Sequence, residues 1–488
     1  MCTVKSKTSL FARIKSKVKS LFRPLGRQQK QGQQEQKQQN RWKNKINPRV
    51  LYSLLSLLLI AGGSYLAIQY AQGNYRLTKN GFLPQSGLLS ANSFPTGAQV
   101  LINDRLITAT DDTVYLEPGE YQVKIVKDGY SPWEKNLTIK EELVTQTNAQ
   151  LFPVAPSIAP LTFTGAQNLL PSPDGRKIVY YTASASASAK NGLYLLELSD
   201  NLNPFQKSSK QISDDEQGLD LATADMIWSP DSTQLMILGG NKQLLIDTDQ
   251  KTNLSTQPDI SFKRKQLLSA WEEEMYLRER QYLAEFPQEV IQVATQSAKN
   301  VYISPDKKRL LYTATASAFL PEDLVPPIPS TSTQPEDRQL EPGKIYVYDR
   351  EEDKNFEVAV VVGAESASPK QLLALDMFNQ SPMTLEASPS AFNRLQATSS
   401  AQTAFKFNSY HTSLHINTLQ WFADSKHLMF VKDNEIKIME YDGANVTTLY
   451  SGPFANNFIY PWPDGSRLVI LTSFSPDSPQ NLYSIELK

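Results

Sequence analysis

The feature that most constrains this chain of 488 residues is a stretch without charged side chains between Arg49 and Arg76. Residues 50–70 within it are mostly Leu, Ile, Ala and aromatic residues. A helix rises about 1.5 Å per residue, and the hydrocarbon core of a bilayer is about 30 Å thick. The sequence therefore predicts one transmembrane helix over residues 50–72, which separates a short N-terminal arm from a large remainder.

The charges on the two sides of this stretch predict its orientation. Residues 1–50 contain fourteen Lys and Arg and one acid, Glu35, which leaves 35 basic and 49 acidic residues for the rest of the chain. Because Lys and Arg beside a membrane span stay in the cytoplasm, we expect the arm inside and the C-terminal domains outside the cytoplasm. A cleaved signal peptide is the alternative, but it has a short basic head and an apolar core of about 7–15 residues. An uncleaved, single-pass anchor in a cell membrane is favoured.

The arm, residues 1–49, is basic and largely disordered in this interpretation. Apolar side chains within residues 8–23 share one side of a helical wheel, which predicts an amphipathic helix on an anionic leaflet. A nucleic-acid-binding arm is the alternative, but no groove-reading motif supports it, so no nucleic acid is expected as a partner. Residues 28–39 are rich in Gln and indicate a disordered linker. Cys2, the only cysteine, is interpreted as an inert thiol.

After a stalk at residues 73–90, residues 91–152 contain short strands separated by Pro, Gly, Asn and Asp turns. Their spacing resembles the PEGA domain, a small β-sandwich common in exported bacterial surface proteins. The matching residues are Pro95, Gly97, Ala98, Val100, Asn103, Leu116, Pro118, Gly119, Tyr121, Val123, Gly129 and Tyr130. Asp104 occupies a position where the family usually has Gly. The resemblance implies a surface or interaction module without catalytic residues, and the acids Asp111 and Asp112 are interpreted as solvated turn residues.

Beyond a linker at residues 153–160, one motif recurs five times, at residues 171–180, 228–237, 303–312, 421–430 and 462–470. Each copy has the pattern of a strand end, a turn and a second strand, and the Asp in the turn caps it through the backbone. The turn residues interpreted as structural are Pro173, Asp174, Pro230, Asp231, Pro305, Asp306, Asp424 and Asp464. Repeated units of four strands are typical of a β-propeller. The motif resembles the TolB-type propeller, related to WD-repeat proteins, which implies six blades and protein partners for residues 161–488.

The expected fold class is therefore all-β, with a single transmembrane helix, a PEGA-like sandwich and a five- to six-bladed propeller. Residues 264–293, rich in Glu, Leu, Arg and Gln, predict a helical insertion within the propeller. Residues 321–343 and 366–402 predict long flexible loops.

Residues that carry catalytic or metal chemistry are scarce. The three histidines are His411, His415 and His427, and the pattern contains no HExxH and no cysteine after the predicted span, so no zinc site is predicted. No nucleophile elbow, phosphate-binding loop or dinucleotide motif occurs. We therefore predict no catalytic residue, no cofactor and no metal. Trp228, Trp421 and Trp462 accompany the repeated turns and are interpreted as blade core.

These patterns favour a non-catalytic, membrane-anchored binding or scaffold protein outside the cytoplasm. The expected partners are membrane lipid, for the span and the arm, and an envelope or surface protein or glycan, for the propeller. Two alternatives remain: an enzyme acting on cell-envelope glycans through the propeller channel, and a transmembrane sensor. The sensor is less favoured because the arm has no recognisable signalling domain.

Overall fold

The computed structural model describes residues 48–71, 76–78, 81–83, 86–199, 209–240, 242–328, 332–361, 373–375, 419–455 and 458–488. The predicted amphipathic helix at 8–23, the Gln-rich linker, and His411 and His415 lie outside the described residues. The predicted loop at 366–402 also lies outside them, except for residues 373–375, which form a strand. The chain divides into two units, the first of which ends at residue 72 and the second of which begins at residue 73.

The first helix, α1, coincides with the uncharged stretch and extends over Pro48–Ala71. Its side chains are described from Tyr52 to Ile68, and all of them are exposed. Within the described part of the chain, no helix is found that is long and apolar enough to cross a membrane. The predicted transmembrane helix is therefore not confirmed.

The second unit begins with a hairpin of two short strands and continues into a sandwich at residues 86–154. The hairpin pairs β1 (Arg76–Thr78) with β2 (Gly81–Leu83). The sandwich strands are β3 (Gly87–Ala91), β4 (Ser93–Phe94), β5 (Gln99–Ile102), β6 (Arg105–Ala109), β7 (Asp112–Leu116), β8 (Gly119–Val126), β9 (Trp133–Ile139), β10 (Val144–Gln146) and β11 (Ala149–Gln150). They form sheets of order β6-β5-β8-β9, β10-β3-β7 and β11-β4. Val123 and Ile125 alternate inward on β8 and join one apolar core with Trp133.

Apart from a helical insertion, the rest of the described chain forms five blades of mainly antiparallel strands. Blade 1 has β13 (Gln167–Pro171), β14 (Lys177–Thr182), β15 (Gly192–Glu197) and β16 (Lys210–Gln211), and blade 2 has β17 (Asp225–Trp228), β18 (Gln234–Gly239) and β19 (Lys242–Asp247). Blade 3 has β20 (Ala298–Ile303), β21 (Arg309–Ala314), β24 (Lys344–Asp349), β25 (Lys354–Val361) and β26 (Leu373–Leu375), with β22 (Ala318–Phe319) and β23 (Gln339–Leu340) paired beside it. Blade 4 has β27 (Gln420–Trp421), β28 (His427–Lys432), β29 (Glu435–Glu440) and β30 (Thr447–Tyr450). Blade 5 has β31 (Ile459–Pro461), β32 (Arg467–Thr472), β33 (Asn481–Glu486) and β12 (Ile158–Pro160).

The ends of the propeller meet in blade 5, where β12 pairs with β33 and opposes Ile158 to Ile485. Hydrophobic clusters join blades 1 and 2, blades 3 and 4, blades 4 and 5, and blades 5 and 1. This pairing of the first and last strands, together with packing between successive blades, is the arrangement of a β-propeller. Each of the five sequence motifs lies in one blade, and the described residues contain no sixth blade.

The helical insertion lies against the face of blade 3 that points away from blade 4. It consists of α2 (Arg264–Leu283) and α3 (Gln288–Gln292), followed by a π-helical turn at Val293–Ser297, and it coincides with the predicted helical segment. Phe286 and Val290 belong to one apolar cluster with strands of blade 3, and the Phe286 ring lies 6.4 Å from that of Tyr348 between centroids. Arg278 Nη1 donates to the carbonyl of Pro230 in blade 2 at 3.0 Å. The insertion therefore contacts both blade 2 and blade 3.

Candidate functional site

The five repeated aspartates all cap the turns that contain them. Each carboxylate accepts a hydrogen bond from the backbone N–H two residues later, at 2.8–3.2 Å, in Asp174, Asp231, Asp306, Asp424 and Asp464. Pro173, Pro230 and Pro305 precede the first three of them. An aspartate that satisfies turn backbone in this way has a structural reason to recur, as the motif predicts.

The same turns connect neighbouring blades. Trp228 Nε1 donates to the carbonyl of Leu170 in blade 1 at 3.2 Å, and Trp421 Nε1 donates to the carbonyl of Tyr302 in blade 3 at 3.1 Å. Trp462 is also buried. These tryptophans belong to the blade core rather than to a binding platform.

Two asparagines with a structural role were not singled out from the sequence. Asn168 and Asn300 have left-handed backbone conformations, with φ of 49° and 50°, where the inner strands of blades 1 and 3 shift register. The Asn168 side chain donates to the carbonyls of Leu221 and Ala224. The available signal was a repeated Ala-x-Asn, at 166–168 and 298–300, before two of the Ser-Pro-Asp turns.

The predicted turn residues of the sandwich occupy its connections. Gly97 and Gly129 adopt left-handed conformations, with φ of 72° and 81°. Tyr130 forms an isolated bridge with Pro153. Pro95 follows β4, and Pro118 and Gly119 lie where β8 begins. None of these contacts brings chemically reactive groups together.

Asp424 differs from the other four aspartates because it also pairs with a histidine. Its Oδ2 lies 2.6 Å from His427 Nδ1. The equivalent position three residues after the aspartate is Lys177, Gln234, Arg309 or Arg467 in the other blades. The buried His427 ring packs edge-on against Phe152, the residue that ends the sandwich sequence, at 5.4 Å between centroids. The blade 4 turn is thus a contact point for the sandwich.

A buried ionic cluster lies beside this contact, between β9 of the sandwich and the end of β29 in blade 4. Lys135 Nζ pairs with both Glu440 and Asp442. The side chains of Lys135 and Asp442 are 9% and 0% exposed, so this pairing is largely shielded from water. Trp133 Nε1 donates a hydrogen bond to Glu440 as well.

Backbone and amide groups extend the contact along β9. The N–H of Glu134 donates to Asn445 Oδ1 at 2.8 Å. Farther along, the N–H of Thr138 donates to Thr333 Oγ1 at 3.2 Å, and Gln334 Nε2 donates to the carbonyl of Asn136 at 2.8 Å. Residues 333 and 334, part of the segment 321–343 that was predicted to be a flexible loop, therefore contact the sandwich. We call the set of contacts made by β9 and Phe152 with the propeller the junction.

The charges at the junction shift one another's pKa values. Burial would lower the pKa of Lys135, but Asp442 and Glu440 outweigh it and raise this pKa. Burial would raise the pKa of Glu440, but the attraction of Lys135 and His427 lowers it. Burial raises the pKa of Asp442, and the nearby Glu440 adds to the rise.

The histidine pair shows two opposite shifts. Burial would lower the pKa of His427, but the Asp424 carboxylate outweighs it and raises this pKa. Burial would raise the pKa of Asp424, but the attraction of His427 lowers it. Both shifts favour the charged form of a pair that lies within blade 4, and the ion pairs that join the two domains are those of Lys135. Among the described residues, no group of three or more His, Cys, Asp or Glu could hold a metal ion.

A second surface feature lies on the opposite edge of the sandwich sheet. A groove of about 460 Å³ there is lined by Ile102, Asn103, Arg105, Ile107, Leu116 and Tyr121. Leu106 and Ile107 on the edge strand β6 are 62% and 48% exposed. This edge of the sheet is therefore more apolar and more exposed than the edge at β9.

The position of the sandwich between Ser86 and Val154 agrees with a comparison to known families. Residues 86–154 match the PEGA domain family. The predicted resemblance is confirmed for this segment, and the sandwich is hereafter the PEGA domain. No curated protein matches the chain in sequence.

Several solved propeller structures resemble the chain. TolB from Acinetobacter baumannii has 12% identity and a TM-score of 0.19, and the match covers 75% of this chain and 59% of TolB. A β-propeller domain from Myceliophteria thermophila has 10% identity and a TM-score of 0.26, with 68% and 100% covered. Oligogalacturonate lyase from Vibrio parahaemolyticus has 10% identity and a TM-score of 0.18, with 82% and 90% covered. At these TM-scores the likeness carries no argument about function, and the propeller assignment rests on the strand pairing described above.

Proposed function

We propose that this chain is a membrane-anchored binding protein outside the cytoplasm, whose PEGA domain and propeller act as one rigid head. The observation that carries the proposal is Lys135 of the PEGA domain, buried between Glu440 and Asp442 of blade 4. Removing one partner of a buried ion pair costs about 3–5 kcal/mol, so the docked arrangement depends on all three of these groups. A head of fixed shape presents its surfaces to a partner in one constant arrangement.

The membrane part of the proposal rests on the sequence. The stretch between Arg49 and Arg76 has no charge, and the basic arm precedes it. In this proposal α1 is the tether, the arm contacts inner-leaflet lipid, and everything after α1 faces away from the cytoplasm.

The partner proposed for the head is an envelope or surface protein, with an envelope glycan as the alternative ligand. The groove of the PEGA domain supports a protein partner, because Ile107 in its lining and the exposed Leu106 beside it supply apolar area that a carbohydrate uses less well. The proposed role is binding rather than catalysis.

Cysteine labelling tests the proposed topology, because Cys2 is the only cysteine of the chain. We expect a membrane-impermeant maleimide to leave Cys2 unlabelled in intact cells and to label it after permeabilisation. In a Cys2→Ser background, Leu106→Cys should be labelled in intact cells. Labelling of Cys2 in intact cells, or protection of Leu106→Cys there, would overturn the proposed orientation.

Photo-crosslinking tests the binding role. A photoreactive residue at Leu106 should capture a defined protein that mass spectrometry identifies, whereas the same residue at the exposed Glu273 of α2 serves as the matched control. Capture of the same products from both positions would indicate random collision. Recovery of lipid alone from Leu106 would contradict a protein partner.

A further inference from the structure

The outer side of strand β6 has no partner strand among the described residues. In the sheet of order β6-β5-β8-β9, β6 pairs with β5 alone. An edge strand of this kind presents N–H and C=O groups with which another strand can pair, and proteins often blunt it with charges or Pro. Strand β6 contains no Pro and one charged residue, Arg105, and its Leu106 and Ile107 are 62% and 48% exposed. The edge is therefore accessible to an added strand.

The groove lies beside this open edge. Its lining includes Ile107 of β6, Leu116 at the end of β7 and Tyr121 of β8. Ile107 lies at the bulge where the register between β5 and β6 shifts, and a bulge can re-aim a side chain. Since successive side chains of a strand point to opposite faces, a strand added to β6 directs every second side chain toward the groove. The lining therefore selects apolar side chains at those alternate positions.

The charge around the groove is negative. Residues 102–121, which contain the whole lining, hold five acids and a single base, Arg105. The five acids are all exposed, and they are Asp104, Asp111, Asp112, Glu117 and Glu120. The Thr108 hydroxyl donates to Asp112 Oδ2 at 2.5 Å, which holds that carboxylate beside β6. A segment with Lys or Arg complements this surface, whereas a second copy of the same edge would bring like charges together.

We propose that β6 binds an extended segment of a partner protein, in which apolar residues alternate with Lys or Arg, as a fifth strand of the four-stranded PEGA sheet. In this mode of recognition the backbone hydrogen bonds give affinity, and pockets for alternate side chains give specificity. The inference rests on the proposed function, because it specifies the chemistry of the partner at the same site. It excludes a glycan there, since a glycan has no peptide backbone to continue the sheet.

Binding of a synthetic peptide to the purified full chain tests this inference. The probe is a fluorescent peptide of about ten residues that alternates valine and lysine, a length at the upper end for a strand. We expect it to bind at least about tenfold more tightly than the same peptide with glutamate in place of lysine, because like charges are disfavoured at an interface. Equal affinity for the two peptides, or binding of neither, would overturn the inference.

Hydrogen exchange separates strand addition from attraction between charges alone. With the lysine peptide bound, the backbone amides of residues 105–109 should exchange more slowly, because an added strand pairs with them. A second probe, the same peptide with its backbone nitrogens methylated, keeps the charges but cannot donate these hydrogen bonds, and it should bind at least about tenfold more weakly. Unchanged exchange in β6, or equal binding of the methylated peptide, would rule out an added strand.

Variants of the chain test the two features of the surface separately. Asp104→Asn with Glu120→Gln removes two exposed charges and should weaken binding of the lysine peptide about fivefold at low salt. Glu272→Gln with Glu273→Gln, on the exposed face of α2, is the matched control and should leave the affinity unchanged. An equal loss in both double variants would show that the peptide senses only the net charge of the chain.

The apolar side of the surface has its own pair of variants. Ile107→Ser should weaken binding of the lysine peptide several-fold, because it removes an apolar side chain from the groove. Leu277→Ser, at an exposed leucine of α2, is the control and should leave the affinity unchanged. Unchanged affinity in Ile107→Ser would contradict the role of the groove.

The outcome is distinguishable from that of the photo-crosslinking experiment. Capture from Leu106 of one defined protein, crosslinked through a segment without alternating apolar and basic residues, would support the proposed binding role and overturn the inference about its partner. Capture through a segment that does alternate in this way would support both.

Discussion

The four-stranded sheet of the PEGA domain has two edge strands, β6 and β9. One of them is covered by the propeller and the other is exposed. Strand β9 places Trp133 and Lys135 against the carboxylates of blade 4, so its edge is covered by the propeller. Strand β6 leaves Leu106 and Ile107 exposed beside a groove. Sheet edges are liabilities that proteins normally cover or blunt. One edge therefore serves assembly within the chain, and the other is the edge that we propose for a partner.

The largest expected effect comes from removing the buried cation on the β9 side. Lys135→Met leaves Glu440 and Asp442 without their partner, and we expect it to lower the free energy of unfolding by about 3–5 kcal/mol. Denaturant titration followed by circular dichroism measures this change. The control is Lys124→Met, which removes an exposed pair with Glu134 and should cost at most about 1 kcal/mol. If the two variants lost the same free energy of unfolding, the buried pair on β9 would be worth no more than an exposed pair, which would contradict this prediction.

A smaller effect is expected from Trp133, whose indole donates to the charged Glu440. Trp133→Phe loses a hydrogen bond to a carboxylate, which is worth about 1.5–3 kcal/mol. Trp228→Phe in blade 2 loses a hydrogen bond to the neutral carbonyl of Leu170, worth about 0.5–1.5 kcal/mol. Thermal or denaturant unfolding measures the free energy of unfolding that each variant loses. A larger loss in Trp228→Phe than in Trp133→Phe would show that Glu440 is not effectively charged in the junction.

The blade 4 turn that Phe152 contacts should make stability depend on pH, in a range where the β6 edge is indifferent. Because Asp424 outweighs burial and raises the pKa of His427, the free energy of unfolding should fall as the pH rises above 6.5. His427→Gln should flatten this part of the profile, while Leu106→Ser should leave its slope unchanged. A profile that is flat in the starting chain would contradict the charged state of the histidine pair.

The smallest effect on stability is expected on the β6 side. Leu106→Ser changes an exposed side chain, so the free energy of unfolding should stay within about 0.5 kcal/mol. Crosslinked capture from a neighbouring photoreactive position at Arg105 should nevertheless decrease in this variant. A large decrease in the free energy of unfolding would instead indicate that Leu106 is buried in an apolar core.

Local sequence patterns predicted much of the fold. Pro173 and Asp174, and their counterparts in the later copies, marked turns that Asp side chains do cap. Tyr121, Val123 and Ile125 alternate along the sequence as a half-buried strand requires, and they lie in β8. Such features depend on residues close in sequence, so they can be recognised without the tertiary structure.

The candidate site was less predictable. His427 was considered only as a zinc ligand, because the sequence places no visible partner from another domain beside it. Lys135 and Glu440 were not singled out, since isolated charged residues on strands usually face solvent. The pairing emerges only when β9 lies against blade 4.

The sequence by itself determined the strands, the capped turns, the five motif copies and the helical insertion at α2, because each depends on local periodicity and turn chemistry. Only the tertiary structure decided which edge of the PEGA domain meets the propeller, and which charges lose their water there. The physical reason is separation along the chain: Lys135 and Asp442 are 307 residues apart. Their interaction exists only after both domains have folded and docked.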